Sequence, residues 1–242
     1  RHNDMDQLRA LLEEHRAGHK RCLIVTDGVF SMDGDLAPVH KMAELAREFD
    51  AWLMTDDAHG IGVVGAGGRG STFAGGTKAA VDLQMGTLSK AVGGYGGYLC
   101  ASKAVIDLMK TRCRTLIYST GLPPATVAAA IAALDIIEGD PEYAARPVKK
   151  AQRFTRRLGL PPAESPIVPI LLGDSARTMA AQKVLEDAGY LVIGIRPPTV
   201  PEGTARLRLT FTALHADADI DRLADLIADK VLVGDEPFRA SS

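Results

Sequence analysis

No apolar run in this chain approaches the roughly 20 residues that span a bilayer, so nothing in it reads as a helical membrane anchor. A basic surplus is also lacking. The 28 Lys and Arg against 30 Asp and Glu give a formal net charge of −2, which leaves no electrostatic footprint for nucleic acid and no polybasic run for a lipid surface. Cysteine is scarce: Cys22, Cys100 and Cys113 are odd in number, far apart and set in apolar runs. That spacing excludes a disulfide framework and a metal-type cysteine pair, and predicts buried thiols in a reducing cytoplasm. Repeats and low-complexity tracts are absent. What remains is 46% hydrophobic residues over 242 positions, enough for one large core or two smaller ones.

The chain opens RHNDMDQLRALL, without an initiating Met, a charged leader or an apolar one, and the expectation is an N-terminally truncated fragment. At the other end GDEPFRASS is a polar tail expected to fray. Between them short apolar runs alternate with amphipathic stretches, the pattern of an α/β protein. CLIVTD (22–27) and AWLMTDD (51–57) read as buried strands joined by the helical APVHKMAELAREF, a βαβ unit. A strand at DLQMGT (82–87), a return strand at GGYLCAS (96–102) and a helix over KAVIDLMKTRC follow. Beyond IYSTGLPP (117–124) come an Ala-rich helix, a charged helix over roughly 141–158, the strand IVPILLG (167–173) and a helix from Ser175 to Asp187 stopped by Gly189. Two more strands, the second at LRLTFTA (207–213), lead to a last helix capped near Asp217. The change of pattern places a domain boundary near residue 139.

GAGGRG (65–70) fits the G-x-G-x-x-G template of dinucleotide sites. No helix follows it and no acid stands about 20 residues on to meet a ribose hydroxyl, so it reads as a flexible Gly-rich loop. His15 and His19 are four apart on a predicted helix, a metal-capable spacing that lacks a third ligand; an exposed polar face is the reading, and no metal site is expected. TDDAHG (55–60) is more informative. Asp56, Asp57 and His59 end an apolar strand, where open α/β sheets hold their ligands, although a polar loop with one capping carboxylate accounts for the motif alone. GTLSK also ends a strand, and Lys90 leads into Gly93, Gly94, Gly96 and Gly97. An amine held in a tight, partly buried pocket is the expectation there, with glycines allowing backbone to pack against something bulky. A carboxylate, an imidazole and a lysine at one sheet edge meet the needs of pyridoxal phosphate: an amine for a Schiff base, an anion for the pyridine nitrogen and a donor for the ring oxygen.

TLSKAVGGYG resembles the lysine signature of the class II pyridoxal-phosphate aminotransferases. With TDGVFSMDGDLAPV, DDAHGIGVVGAGGRG, IYSTGLPP and RPPTVPEGTARLRLTFTA, nearly the whole chain is similar to the α-oxoamine synthases. The resemblance implies an enzyme of fold type I, α/β, with residues 1–138 as the C-terminal part of the cofactor-binding large domain, its mainly parallel sheet incomplete. Residues 139–242 would form a smaller C-terminal α+β domain. The implied reaction is the decarboxylative condensation of L-alanine with a pimeloyl thioester, on CoA or a carrier protein, in biotin biosynthesis. By the same resemblance Lys90 carries the cofactor and moves the α-proton, Asp56 pairs with the pyridine nitrogen and His59 meets the ring oxygen. Ser31 lies near the cofactor and Thr87 binds its phosphate. Thr120 reaches the phosphate of a neighbouring subunit, since the family forms homodimers with shared sites. Arg208 holds the alanine carboxylate, because a planar fork matches it bidentately, and Thr199 contacts substrate. Ser31 could instead simply end a strand, and strand alternation puts Arg206 on the same face as Arg208. Two departures stand out: Asp27 replaces the family's usual Glu, and the family's early strands and the histidine that stacks on the cofactor have no counterpart here, so the chain alone is expected to be inactive. A glycine-using member of the family is the alternative, and a non-catalytic α/β binding module is another.

Overall fold

The computed structural model describes residues 1–232; the tail GDEPFRASS lies outside them. The chain divides into two compact units, Arg1–Phe30 with Leu36–Ala144, and Ser31–Asp35 with the residues from Ala145 on.

The first unit is built on a four-stranded sheet in the order β1 (Leu23–Asp27), β2 (Trp52–Asp56), β3 (Leu83–Thr87), β4 (Gly97–Ala101). The first three strands are parallel and β4 returns antiparallel to β3. A parallel pair needs a crossover, supplied between β1 and β2 by α2 (Val39–Glu48). Val39, Met42, Leu45 and Ala46 recur at the three- and four-residue spacing of one helical face, and all four are buried. They pack in one cluster with Ile24 and Leu53 of the sheet and with Leu12 of α1 (Met5–His15). The other face of β1 and β2 is open: Leu23, Val25 and Trp52 are 49%, 61% and 49% exposed. Strands expected to be buried are therefore covered on one side only. After β4 come α3 (Lys103–Arg112), the short α4 (Arg114–Ile117) and α5 (Pro124–Gly139), with Pro124 at the first helical position, where its missing N–H costs nothing.

In the second unit β5 (Ile167–Gly173), β7 (Ala205–Thr210) and β6 (Ile193–Ile195) form an antiparallel sheet in that order. It packs against α6 (Pro141–Arg157), α7 (Ser175–Asp187) and α8 (Asp217–Lys230) around Phe154, Leu185, Leu207 and Ile227, none of them exposed. β7 starts earlier than LRLTFTA and stops at Thr210: the Phe211 N–H still meets the Pro166 carbonyl in register, but Pro166 has no N–H to return the bond. On the surface α6 and α8 are laced by Lys150–Asp217 (3.0 Å), Arg153–Asp221 (2.6 Å) and Arg157–Asp225 (2.6 Å).

Two expectations fail locally. Cys100 is exposed and Cys22 and Cys113 are half-buried: β4 is an edge strand, and an apolar run at an edge is not covered on every side. His15 ends α1, and a 3-10 turn intervenes before His19, whose Nδ1 lies 2.9 Å from the His15 carbonyl oxygen. The two imidazoles do not share a helical face, and the described residues contain no metal-type cluster.

Candidate active site

Parallel strands deliver their carboxyl ends to one edge. Asp27 pairs with Asp56 in the β1–β2 register and Asp56 with Met85 in the next, so Asp27, Asp56 and Thr87 close three adjacent strands and Lys90 follows three residues on. Their charges interact. Desolvation, then the Asp56 carboxylate, pushes the Asp27 pKa up, and the Lys90 ammonium opposes both. Asp56 is half-buried; its Oδ1 accepts the Ala58 N–H at 2.9 Å, while its carbonyl accepts the Gly28 N–H at 2.7 Å. His59 lies half-buried in the turn that follows. Thr87 Oγ1 is buried and lacks a hydrogen-bond partner, a group that costs free energy unless something meets it.

Lys90 differs from the expectation of a partly buried pocket: it is exposed. The tight turn is the reason. The Gly93 N–H donates to the Lys90 carbonyl and the Gly94 N–H to that of Leu88, which puts Lys90 at the start of a bend that leaves the sheet. Gly93 (φ +69°) and Gly96 (φ +110°) occupy backbone that other residues rarely adopt; the turn itself requires them. Thr120, exposed between α4 and α5, has no hydrogen bond to these residues among those described.

The remaining predicted residues belong to the second unit. Arg208 Nε donates to the Ser31 carbonyl at 2.5 Å and its Nη1 to Thr210 Oγ1 at 3.1 Å, so the structure brings Ser31 and Arg208 together through backbone. Desolvation draws the Arg208 pKa down. Arg206 is buried and committed elsewhere, to Asp33 Oδ1 at 2.6 Å and the carbonyls of Met32 and Thr204. Thr199 is exposed in a turn, its N–H on the Arg196 carbonyl. A cavity of about 780 Å³ in this unit, lined in part by Pro161, Pro162, Ile167 and Val168, contains none of the predicted residues.

Beneath the edge lies a polar layer that sequence reasoning missed. Asp57 is completely buried, Gln84 Nε2 donates to it at 3.0 Å, and the Tyr98 hydroxyl is buried without a partner. Burial, then the Asp57 charge, pushes the Tyr98 ionisation strongly up. The available signal was the doubled acid of TDDAHG: with a side-chain period of two, adjacent strand-end residues face opposite sides of the sheet, so one of the pair had to point inward.

Comparison with known proteins adds ancestry. Residues 1–227 match the family described as aminotransferase class I and II. The chain is 69% identical over 232 residues to a protein of Parvibaculum lavamentivorans provisionally named 8-amino-7-oxononanoate synthase, covering 96% of this chain and 60% of that one. It is 60% identical over 228 residues to the 8-amino-7-oxononanoate synthase of Beijerinckia indica, covering 94% and 59%. The solved serine palmitoyltransferase of Sphingomonas wittichii superposes with a TM-score of 0.88 at 31% identity over 95% of this chain and 59% of that one. The chain thus spans about 60% of the length of the curated relatives it matches.

Proposed function

Because the chain belongs to the aminotransferase class I and II family, we propose that it works as the greater part of a pyridoxal-phosphate-dependent 8-amino-7-oxononanoate synthase, condensing L-alanine with a pimeloyl thioester with loss of CO2. The observation that carries this reading is the convergence of Asp56, Thr87 and Lys90 on the carboxyl edge of three parallel strands. The residues present fit the cofactor: the unpartnered Thr87 Oγ1 suits a phosphate oxygen, and the free-standing Lys90 amine suits covalent attachment. When bound, pyridoxal phosphate supplies an electron sink for an α-carbon that gives up a proton or a carboxylate.

The chain's own residues would do the rest. Asp56 would face the ring nitrogen and hold a proton there, since a fixed carboxylate favours the cationic form. His59 would meet the ring's phenolic oxygen and Thr87 the phosphate. Lys90 would hold the cofactor by its amine and, once released, take the α-proton of the amino acid. Arg208 suits the amino-acid carboxylate better than Arg206 does, because Arg206 already has a carboxylate partner. Ser31 would contact the cofactor and Thr199 the substrate, and Thr120 would reach the phosphate in a neighbouring subunit of a homodimer. In this reading residues 1–138 belong to the cofactor-binding domain and 139–242 to the small domain.

The choice of substrate rests on identity, 60% and 69% to proteins named for the oxononanoate reaction against 31% to a serine palmitoyltransferase. The test is amino-acid preference in the protein supplied with the remaining segment that its relatives carry. L-Alanine should perturb the bound-cofactor spectrum at lower concentration than glycine or L-serine, and pimeloyl thioester should then be consumed with CO2 release. Preferred use of glycine with succinyl-CoA or acetyl-CoA would contradict the assignment, and absence of any cofactor spectrum would favour a binding module.

A further inference from the structure

We propose that Asp57 is the positioning residue of this edge: its buried carboxylate ties the loop 58–71 to the end of β2 and thereby fixes Asp56 and His59, which flank it in the chain. The inference rests on the cofactor reading above and assigns a role to a residue that the reading leaves unused.

The geometry is specific. The Ser71 N–H lies 3.0 and 2.9 Å from the two Asp57 carboxylate oxygens, and Gln84 Nε2 donates to Oδ2 at 3.0 Å. The Asp57 backbone is engaged as well: its N–H donates to the Met85 carbonyl, and its own carbonyl accepts the N–H groups of Gly60 and Ile61. One residue therefore binds β3, the turn that contains His59 and the far end of the loop. Three glycines, one beyond β1 and one near each end of the loop, enclose the carboxylate. A Cβ on Gly28, Gly60 or Gly70 would stand 2.7, 2.0 or 1.9 Å from an Asp57 oxygen. Gly70 is the last glycine of GAGGRG, so that motif shapes a packed loop around Asp57 rather than a nucleotide cradle.

A carboxylate suits this place because it only accepts hydrogen bonds, and the groups that converge on it are donors. Asparagine would turn an NH2 toward the Ser71 or the Gln84 donor. Burial raises the Asp57 pKa while the Ser71 and Gln84 donors lower it. Freed from its donors, Asp57 would release the turn in which Ala58 caps Asp56, and His59 would move with it.

The test takes the protein supplied with the remaining segment that its relatives carry and compares it with its Asp57→Asn and Gln84→Met variants by circular dichroism, amide hydrogen exchange, the His59 ring resonances and titration with pyridoxal phosphate. With native-like dichroism, Asp57→Asn should speed Ser71 and Gly60 amide exchange at least about tenfold, the scale of a lost hydrogen bond to a buried charge. It should also shift the His59 resonances and weaken pyridoxal phosphate binding by about tenfold. Gln84→Met, which removes a single donor, should move the same readouts in the same direction by about threefold; it decides the matter if Asp57→Asn does not fold. Unchanged exchange and His59 resonances in both variants, or faster exchange with unaltered His59 resonances and cofactor affinity, would overturn the inference. Failure of the unaltered protein to take up pyridoxal phosphate would instead count against the cofactor reading, and exchange with the His59 resonances would still judge Asp57.

Discussion

Arg206 and Arg208 stand two residues apart on β7, and a period of two cannot separate them. Their partners do. Arg206, 5% exposed, is held by Asp33, so Asp33→Ala would strand a buried guanidinium. Because Asp33 itself is about half exposed, the expected cost is about 1–2 kcal/mol, below that of a fully buried pair, measured by urea denaturation. Arg208→Lys gives up the Nε bond to the Ser31 carbonyl and should cost about 1–2 kcal/mol of that stability, and it should raise the KM for L-alanine about tenfold, because an ammonium cannot fork onto a carboxylate. A third single-residue prediction concerns Gly70: alanine there meets both φ +94° and the Asp57 oxygen, and should destabilise the first unit by more than about 2 kcal/mol. The position of Asp56, His59 and Lys90 at or just beyond strand ends was legible because each is a polar residue punctuating an apolar run. Asp57 was not, because a buried acceptor and a solvent-facing one are the same letter in sequence. The exposure of Lys90 was equally hidden, being set by the turn at Gly93 and Gly96.

Elements were more legible than residues, since period and punctuation specify them locally. The β1–α2–β2 unit, the return strand β4, and the succession of strands and helices in the second unit follow from runs of apolar residues and their breakers; the order and direction of β5, β7 and β6 do not. Which strand faces stay open does not, because burial depends on what else packs there: Val25 is as apolar as Ile24, yet it is 61% exposed while Ile24 is 7%. The α6–α8 ladder was invisible for the same reason, as its partners are 67 or 68 residues apart. It makes a pH prediction. Side-chain hydrogen bonds from Lys150, Arg153 and Arg157 hold Asp217, Asp221 and Asp225 below the usual aspartate pKa. A depressed folded-state pKa gives stability that is present above the unfolded value and is lost as pH falls through the folded one. Thermal melts in low salt should therefore show the second unit weakening on acidification through the aspartate range. Asp221→Asn should flatten that dependence, and high salt should mute it, because the pairs are at the surface.

At the scale of the molecule, two apolar surfaces of the first unit stand open. Leu23, Val25 and Trp52 form an exposed apolar row on a parallel sheet, a surface that such sheets ordinarily bury, and Ile131 and Ile136 of α5 are 55% and 56% exposed. We infer that the 242 residues expressed alone associate or precipitate and show no detectable condensation of L-alanine with pimeloyl thioester. Adding the further segment that the relatives possess should restore a discrete, soluble assembly. Gel filtration and a direct assay of both forms check this; a stable dimer of the 242-residue chain with full turnover would contradict it.

We propose that the amine of Lys90, just beyond the edge where Asp56 and Thr87 end their strands, takes the cofactor. Incubation with pyridoxal phosphate, reduction with borohydride and peptide mapping test it directly, because reduction fixes even a weakly retained adduct. A pyridoxyl label is expected on Lys90 and lost in Lys90→Ala. Label on Lys78 or Lys103 in its place, or equal labelling of surface lysines, would contradict it.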